Sequence, residues 1–149
     1  MNLFLPRGIR NNNPGNIRLS KIKWKGQKCS NQIDSQFVEF ISPLYGVRAL
    51  MRLLLTYYIK YGLDSVEAII NRYAPPIENA TDSYIYHICT ILNVKRREQI
   101  NLCNKKHLIN FAKAITLHEN GKSFYEENRF WYGEDVYIEA AKLALEKGK

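Results

Sequence analysis

Cysteine is scarce in this sequence, and its three residues, Cys29, Cys89 and Cys103, are far apart, odd in number and without a CxxC pair. That pattern argues against a disulfide framework and against a cysteine-based zinc site. No metal ion and no cofactor is implied. A long apolar run is also missing: "YGVRALMRLLLTYYIKYG", Tyr45 to Gly62, comes closest to the roughly eighteen residues of a membrane span. Arg48, Arg52 and Lys60 interrupt it, so it reads as a core helix. The N-terminus has no charged region ahead of its short apolar run and no small-residue cleavage site after it, which is unlike a signal peptide. Synthesis in the cytoplasm is expected, with any action at a cell wall following release or delivery in a virion. Repeats, low-complexity tracts and linkers are absent too, so residues 1–149 are expected to form one domain. Finally, acidic residues are few, 14 against 22 basic ones, leaving a formal charge of +8. Nucleic acid, an anionic membrane surface or an anionic wall polymer would each be attracted. The basic residues lie in two separate stretches, Lys21 to Lys28 and Lys95 to Arg97, with no helix-turn-helix, zinc-finger or RNP pattern around them. These stretches do not choose between the partners, and nucleic acid ranks last because it leaves "NNNPGN" and "HENG" unexplained.

What the chain does have is 46% hydrophobic residues and ten tyrosines, enough for a substantial core. Residues 7–20, "RGIRNNNPGNIRLS", are dense in Asn, Gly and Pro and read as turns. "IKWKG" and "SQFVEFIS" read as short strands, Phe37 and Glu39 alternating against Val38 and Phe40, which predicts a small hairpin or three-stranded sheet. From Pro43 the pattern is helical: Tyr45 to Tyr61, a helix opened by the box Asp64 to Glu67, one starting at Asn79 or Thr81, one over Lys105 to His118 and one over Glu134 to Lys147.

One carboxylate stands out in "LHENGKS". At about 100° per residue, Glu119 lies within about 20° of Leu108 and Ala112 on the helix wheel, on the apolar face of the Lys105 helix. Desolvation and the negative end of the helix dipole would both disfavour its charged form, the property required of a general acid near neutral pH. The plain alternative is a helix-end glutamate that swings into solvent, and periodicity alone does not choose.

"RGIRNNNPGNIR", "WKG", "FVEF", "YGVRALMRLLLTYY", "INRYAPPIENATDSYI" and "HENG", in this order over roughly residues 7–121, resemble a family of small phage and prophage proteins described as virion structural or cell-wall lysis proteins. A more distant resemblance is to lysozyme-superfamily enzymes of the lytic transglycosylase and glucosaminidase kinds. "HENGKS" is similar to their glutamate motif, "NNPGNIR" to their "NLFGIK" stretch, "WKG" to "WxG", "YAPP" to "YNAGP" and "TDSYI" to "TxxYV". The glutamate motif comes last here instead of first. The resemblance thus implies an α+β, mainly α-helical fold, lysozyme-like and circularly permuted, with a small β-hairpin region near residues 16–41. It also implies that Glu119 and Asn16 meet across one cleft.

The function implied by that resemblance is cleavage of the β-1,4 glycan backbone of bacterial peptidoglycan, as a muramidase or lytic transglycosylase, with Glu119 as the catalytic acid. Asp34 or Glu39 would be the second acid, although a strand carboxylate facing solvent is the commoner outcome. Asn12, Asn13 and Asn16 would hydrogen-bond N-acetyl sugars or else serve the turn. Trp24, Tyr57, Tyr73 and Tyr84 would offer stacking faces for sugar rings or else lie in the core, as would Tyr45. Glu78 is a rival acid, His118 a residue able to orient Glu119, and His87 structural. The alternative function is a non-catalytic virion or tail protein that binds glycan and contacts other virion components.

Overall fold

Apolar residues at helical spacing organise the chain into six α-helices among the residues that this computed structural model describes, 4–74, 79–124 and 129–146. They are α1 (Arg7–Arg10), α2 (Pro43–Leu55), α3 (Val66–Tyr73), α4 (Asn79–Leu92), α5 (Lys105–Asn120) and α6 (Glu134–Leu145). A π-helical turn, Thr56–Lys60, continues α2. Helix α5 is central, touching α1, α2, α4 and α6, while α2 packs most extensively on α6. Leu50 and Leu54 of α2, Ile69 of α3, Ile88 of α4, Phe111 and Ile115 of α5 and Tyr137 of α6 meet in the main core with no exposed surface. Each such side chain contributes about 1.5–3 kcal/mol relative to an exposed position. Small Ala140, Ala141 and Ala144, equally buried, let α6 approach closely, and the Arg52 guanidinium donates to the Ala144 carbonyl at 2.8 Å. No helix among the described residues is long and apolar enough to cross a membrane.

The helix ends follow local chemistry. Asn104 caps α5 by accepting from the His107 amide at 3.2 Å. At its other end Gly121, at φ 75°, turns the chain away while its amide donates to the Leu117 carbonyl at 2.8 Å. A residue with a Cβ is disfavoured in that left-handed region. Helix α3 is capped by Ser65, whose hydroxyl accepts from the Ala68 amide, and not by Asp64 as the capping-box pattern suggested. Asp64 is engaged elsewhere: its carboxylate accepts from the Gln99 side chain at 3.0 Å and its carbonyl from the Ile100 amide at 2.8 Å.

The expected β region does not form, and the α+β lysozyme-like fold, permuted or otherwise, is overturned with it. Among the described residues there is no strand or sheet, only two isolated antiparallel bridges, Arg18 with Phe37 and Gln27 with Phe40. The alternation of residues 37–40 is real in part, since Val38 and Phe40 are buried with Ile17 and Ala49 in a second, smaller core against α2. The backbone partners, however, come largely from side chains. Asn13 donates to the carbonyls of Ile17 and Val38 and accepts from the Ile17 amide, all within 3.0 Å. Glu39, 6% exposed, turns inward and accepts from the amides of Ile33 and Asp34 at 2.6 Å each. Side chains that satisfy the backbone locally remove the need for a neighbouring strand.

Candidate functional site

The last turn of α5 carries Glu119 to the Asn-rich segment near the N-terminus. Asn16, held at φ 50°, donates from its amide to Glu119 Oε1 at 2.9 Å across 103 positions of sequence. Asparagine is among the few side chains that tolerate such a backbone. The Tyr84 hydroxyl of α4 donates to Glu119 Oε2 at 2.8 Å. Both carboxylate oxygens are therefore fixed, one by an amide and one by a phenol. The expected approach of Asn16 and Glu119 is present, although the fold from which it was expected is not.

Neighbouring groups lock this arrangement. Asn120 donates to the Pro14 carbonyl at 2.8 Å and to the Thr116 carbonyl at 3.0 Å, tying the turn to α5. Tyr73 of α3 donates to the Gly15 carbonyl. The side-chain oxygens of Asn16 and Asn120 are buried without a hydrogen-bond partner among the described residues, and both press on Gly8. A Cβ at Gly8 would lie 2.9 Å from the first and 2.5 Å from the second, so only glycine fits. The Tyr84 ring stacks on His118 at 3.6 Å between centroids, and His118 Nδ1 lies 2.7 Å from His87 Nδ1. Burial, together with the facing His87, pushes the His118 imidazole down to about 4. Burial likewise holds the Tyr73 and Tyr84 phenols well above their usual range, with Glu119 acting in the same direction on both. They are permanent donors at physiological pH.

A cleft of about 450 Å³ opens beside Glu119, walled by Asn16, Arg18, Phe37, Tyr57, Arg72 and Tyr73. A larger cavity of about 530 Å³, bordered by Tyr58, Asn101 and His107, does not include Glu119. Of the sugar-binding candidates, Asn16, Tyr57 and Tyr73 line the Glu119 cleft, and Tyr84 touches Glu119 as a buried donor instead of offering an open face. Asn12 and Asn13 are engaged by the turn, Asn12 donating to the Phe40 carbonyl at 3.1 Å. Trp24 packs with Tyr45 on the second core.

The structure does not bring the expected second acid to the cleft. Asp34 is gripped by Arg7 through Nε at 2.6 Å and Nη2 at 2.7 Å, and by Asn11 at 2.9 Å. The Arg7 hydrogen bonds hold its carboxyl well below the usual carboxylate range despite desolvation. For Glu39, burial pushes the carboxyl up but is outweighed by the Asp34 and Ile33 amides and by Lys28 at 3.1 Å, leaving it lowered. Both act as anchors for segment 16–41. Glu78 lies outside the described residues. Among the described residues Glu119 is the only carboxylate lining its cleft, and no three potential metal ligands cluster anywhere.

Sequence reasoning passed over Arg18 and Arg72, although both sit inside motifs it singled out, "NPGNIR" and "INRYA". It also missed the contact of His87 with His118, which join α4 and α5 behind the Tyr84 ring. A carboxylate held in this way keeps further lone pairs with which to accept a hydrogen bond from a hydroxyl in the cleft.

No protein-family model matches the chain. A curated relative does: the chain is 42% identical over 98 residues to Protein P5 of Pseudoalteromonas phage PM2. That match covers 64% of this chain and 61% of the phage protein, so the chain spans less than two thirds of its relative. The chain is thus a homologue of a phage protein.

Proposed function

We propose that the protein is a virion-associated phage component that binds the glycan strand of bacterial peptidoglycan in the Glu119 cleft. The observation that carries this reading is the cleft itself. Aromatic walls from Tyr57, Tyr73 and Phe37 surround the fixed polar groups of Asn16 and Glu119, a combination suited to sugar faces and sugar hydroxyls. Homology to a phage protein supports the phage setting. The charge of +8 favours approach to an anionic wall.

A second reading, cleavage of the same strand, is favoured by one specific feature: the carboxyl on the cleft wall is oriented on both oxygens. Glu119 would protonate the leaving oxygen as the glycosidic bond breaks. With Asp34 and Glu39 engaged elsewhere, a hydroxyl of the sugar itself would then attack the cationic carbon and return its proton to Glu119, giving an anhydro product.

One experiment tests both. Purified peptidoglycan is incubated with the protein, pelleted, and the supernatant examined by mass spectrometry. Co-sedimentation without soluble fragments supports the binding component, and anhydro-sugar fragments support cleavage. Protein that stays in the supernatant with intact wall overturns both.

A further inference from the structure

Two arginines face the Glu119 cleft, one from each side of the sequence. Arg18 follows the Asn-rich turn and Arg72 lies in the last turn of α3, and both line the cavity with Glu119. Each rests on an aromatic ring: Arg18 lies 4.9 Å from the Phe37 centroid, and Arg72 lies 4.3 Å from that of Tyr61 and 5.8 Å from that of Tyr57. Such stacking restrains a guanidinium while leaving its N–H edge free to donate. Three other exposed arginines are engaged with acids, Arg7 with Asp34, Arg96 with Glu67 and Asp82, and Arg97 with Glu67, while exposed Arg10 and Arg129 lie outside the cleft. Among the described residues neither Arg18 nor Arg72 makes an ion pair, and neither pairs with Glu119, whose oxygens accept from Asn16 and Tyr84. The cleft therefore carries two positive charges against one negative charge.

We infer that Arg18 and Arg72 form a cationic clamp that selects a carboxylate-bearing glycan, with the ligand's acidic groups on the arginines and its sugar rings along Tyr57 and Tyr73. The inference rests on the glycan-binding reading above and names its substrate class: acidic strands, such as those carrying lactyl or peptide carboxylates, in preference to neutral ones of the same sugars. A guanidinium meets a carboxylate through two parallel N–H···O bonds, so part of the preference should persist at salt concentrations that screen simple long-range attraction.

The test is isothermal titration of the full chain with soluble peptidoglycan fragments, alongside the same fragments after conversion of their carboxylates to methylamides. Free-acid fragments should bind at least roughly tenfold more tightly, as one good charged contact provides. Arg18→Gln and Arg72→Gln should each erase most of that difference while leaving the affinity for amidated fragments and the melting temperature unchanged. Arg10→Gln, on an exposed arginine outside the cleft, serves as the charge control and should keep the preference. Equal binding of both fragment types, or a preference that survives loss of both arginines, overturns the clamp and leaves the glycan reading standing. Absence of binding to either fragment overturns the glycan reading, and the clamp with it.

Discussion

Glu119 accepts hydrogen bonds from two donors of different kinds, and that difference determines what substitution does. The Tyr84 hydroxyl can rotate and accept, whereas the Asn16 amide can only donate from the nitrogen it presents. Glu119→Gln can therefore keep its oxygen toward Asn16 and turn its own amide to Tyr84, and its melting temperature should match the parent. Glu119→Ala strands both donors and should cost about 1–3 kcal/mol in urea unfolding. If the strand is cleaved, Glu119→Gln should also lose roughly two to four orders of magnitude in product release. A Gln variant that unfolds as readily as the Ala variant would show that the charge itself holds the turn in place. His118 sets the acid limit of the same cluster. Its imidazole is lowered from 6.5 to about 4, so between those values the unfolded chain binds the extra proton. Stability present above pH 6.5 should thus drain away as pH falls toward 4. Asp34 and Glu39, lowered from 3.8 and 4.5, extend the loss below about pH 4.5 in the same direction. Melting curves from pH 7 to 3 should decline throughout, with His118→Gln flattening the upper part of the range and Asp34→Asn the lower.

Among the elements, helices α2 to α6 were readable because burial and backbone geometry repeat together, whereas the short α1 lies inside the segment read as turns and has too few residues to show a period. Leu108, Phe111, Ala112 and Ile115 recur at helical spacing, all are buried, and Gly121 stops α5. The pairing of Glu119 with Asn16 was readable through motif order, and Tyr84, read as either a stacking face or a core residue, is buried and donates to Glu119, a contact the sequence did not indicate. Segment 16–41 was misread for a physical reason. Alternation reports which side chains are buried, and it is silent on who satisfies the backbone between them. Here Asn13 and Glu39 supply many of those partners, and Glu39 is itself buried between Val38 and Phe40, so the segment folds without a sheet. Glu39→Ala should accordingly cost about 1–3 kcal/mol by leaving the Ile33 and Asp34 amides without their acceptor. Proteolysis should then cut first within residues 28–36, with the helices still protected. Simultaneous loss of α2 and α5 protection would mean that this segment is integral to the main core. The arginines of the cleft were illegible for a related reason: an arginine in a motif looks the same whether it meets an acid or stands free, and only the spatial inventory of carboxylates separates the two.

For the molecule as a whole, the excess positive charge is a field and not a contact. Lys21, Lys23 and Lys25 are exposed, and they lie near Lys28, which is engaged with Glu39. They should speed encounter with an anionic wall without adding specific bonds. Co-sedimentation with purified wall should weaken as salt rises from 0.05 to 0.5 M, over which the screening length drops several-fold, to about 4 Å. Replacing these three lysines by glutamine should remove much of that salt dependence while preserving the preference set by Arg18 and Arg72. Unchanged salt dependence in the triple variant would move the long-range attraction to Lys95, Arg96 and Arg97.

The bond between Asn16 and Glu119 also sets a clock on biosynthesis. The two residues are separated by 103 positions, so at roughly 5–20 residues per second the ribosome needs on the order of 5–20 s to supply the second after the first. Throughout that interval the "NNNPGN" segment has no α5 to dock on, and contacts that close so long a loop form late. A nascent chain therefore emerges with the Glu119 cleft unbuilt, and the cleft appears only after nearly all the helices are in place.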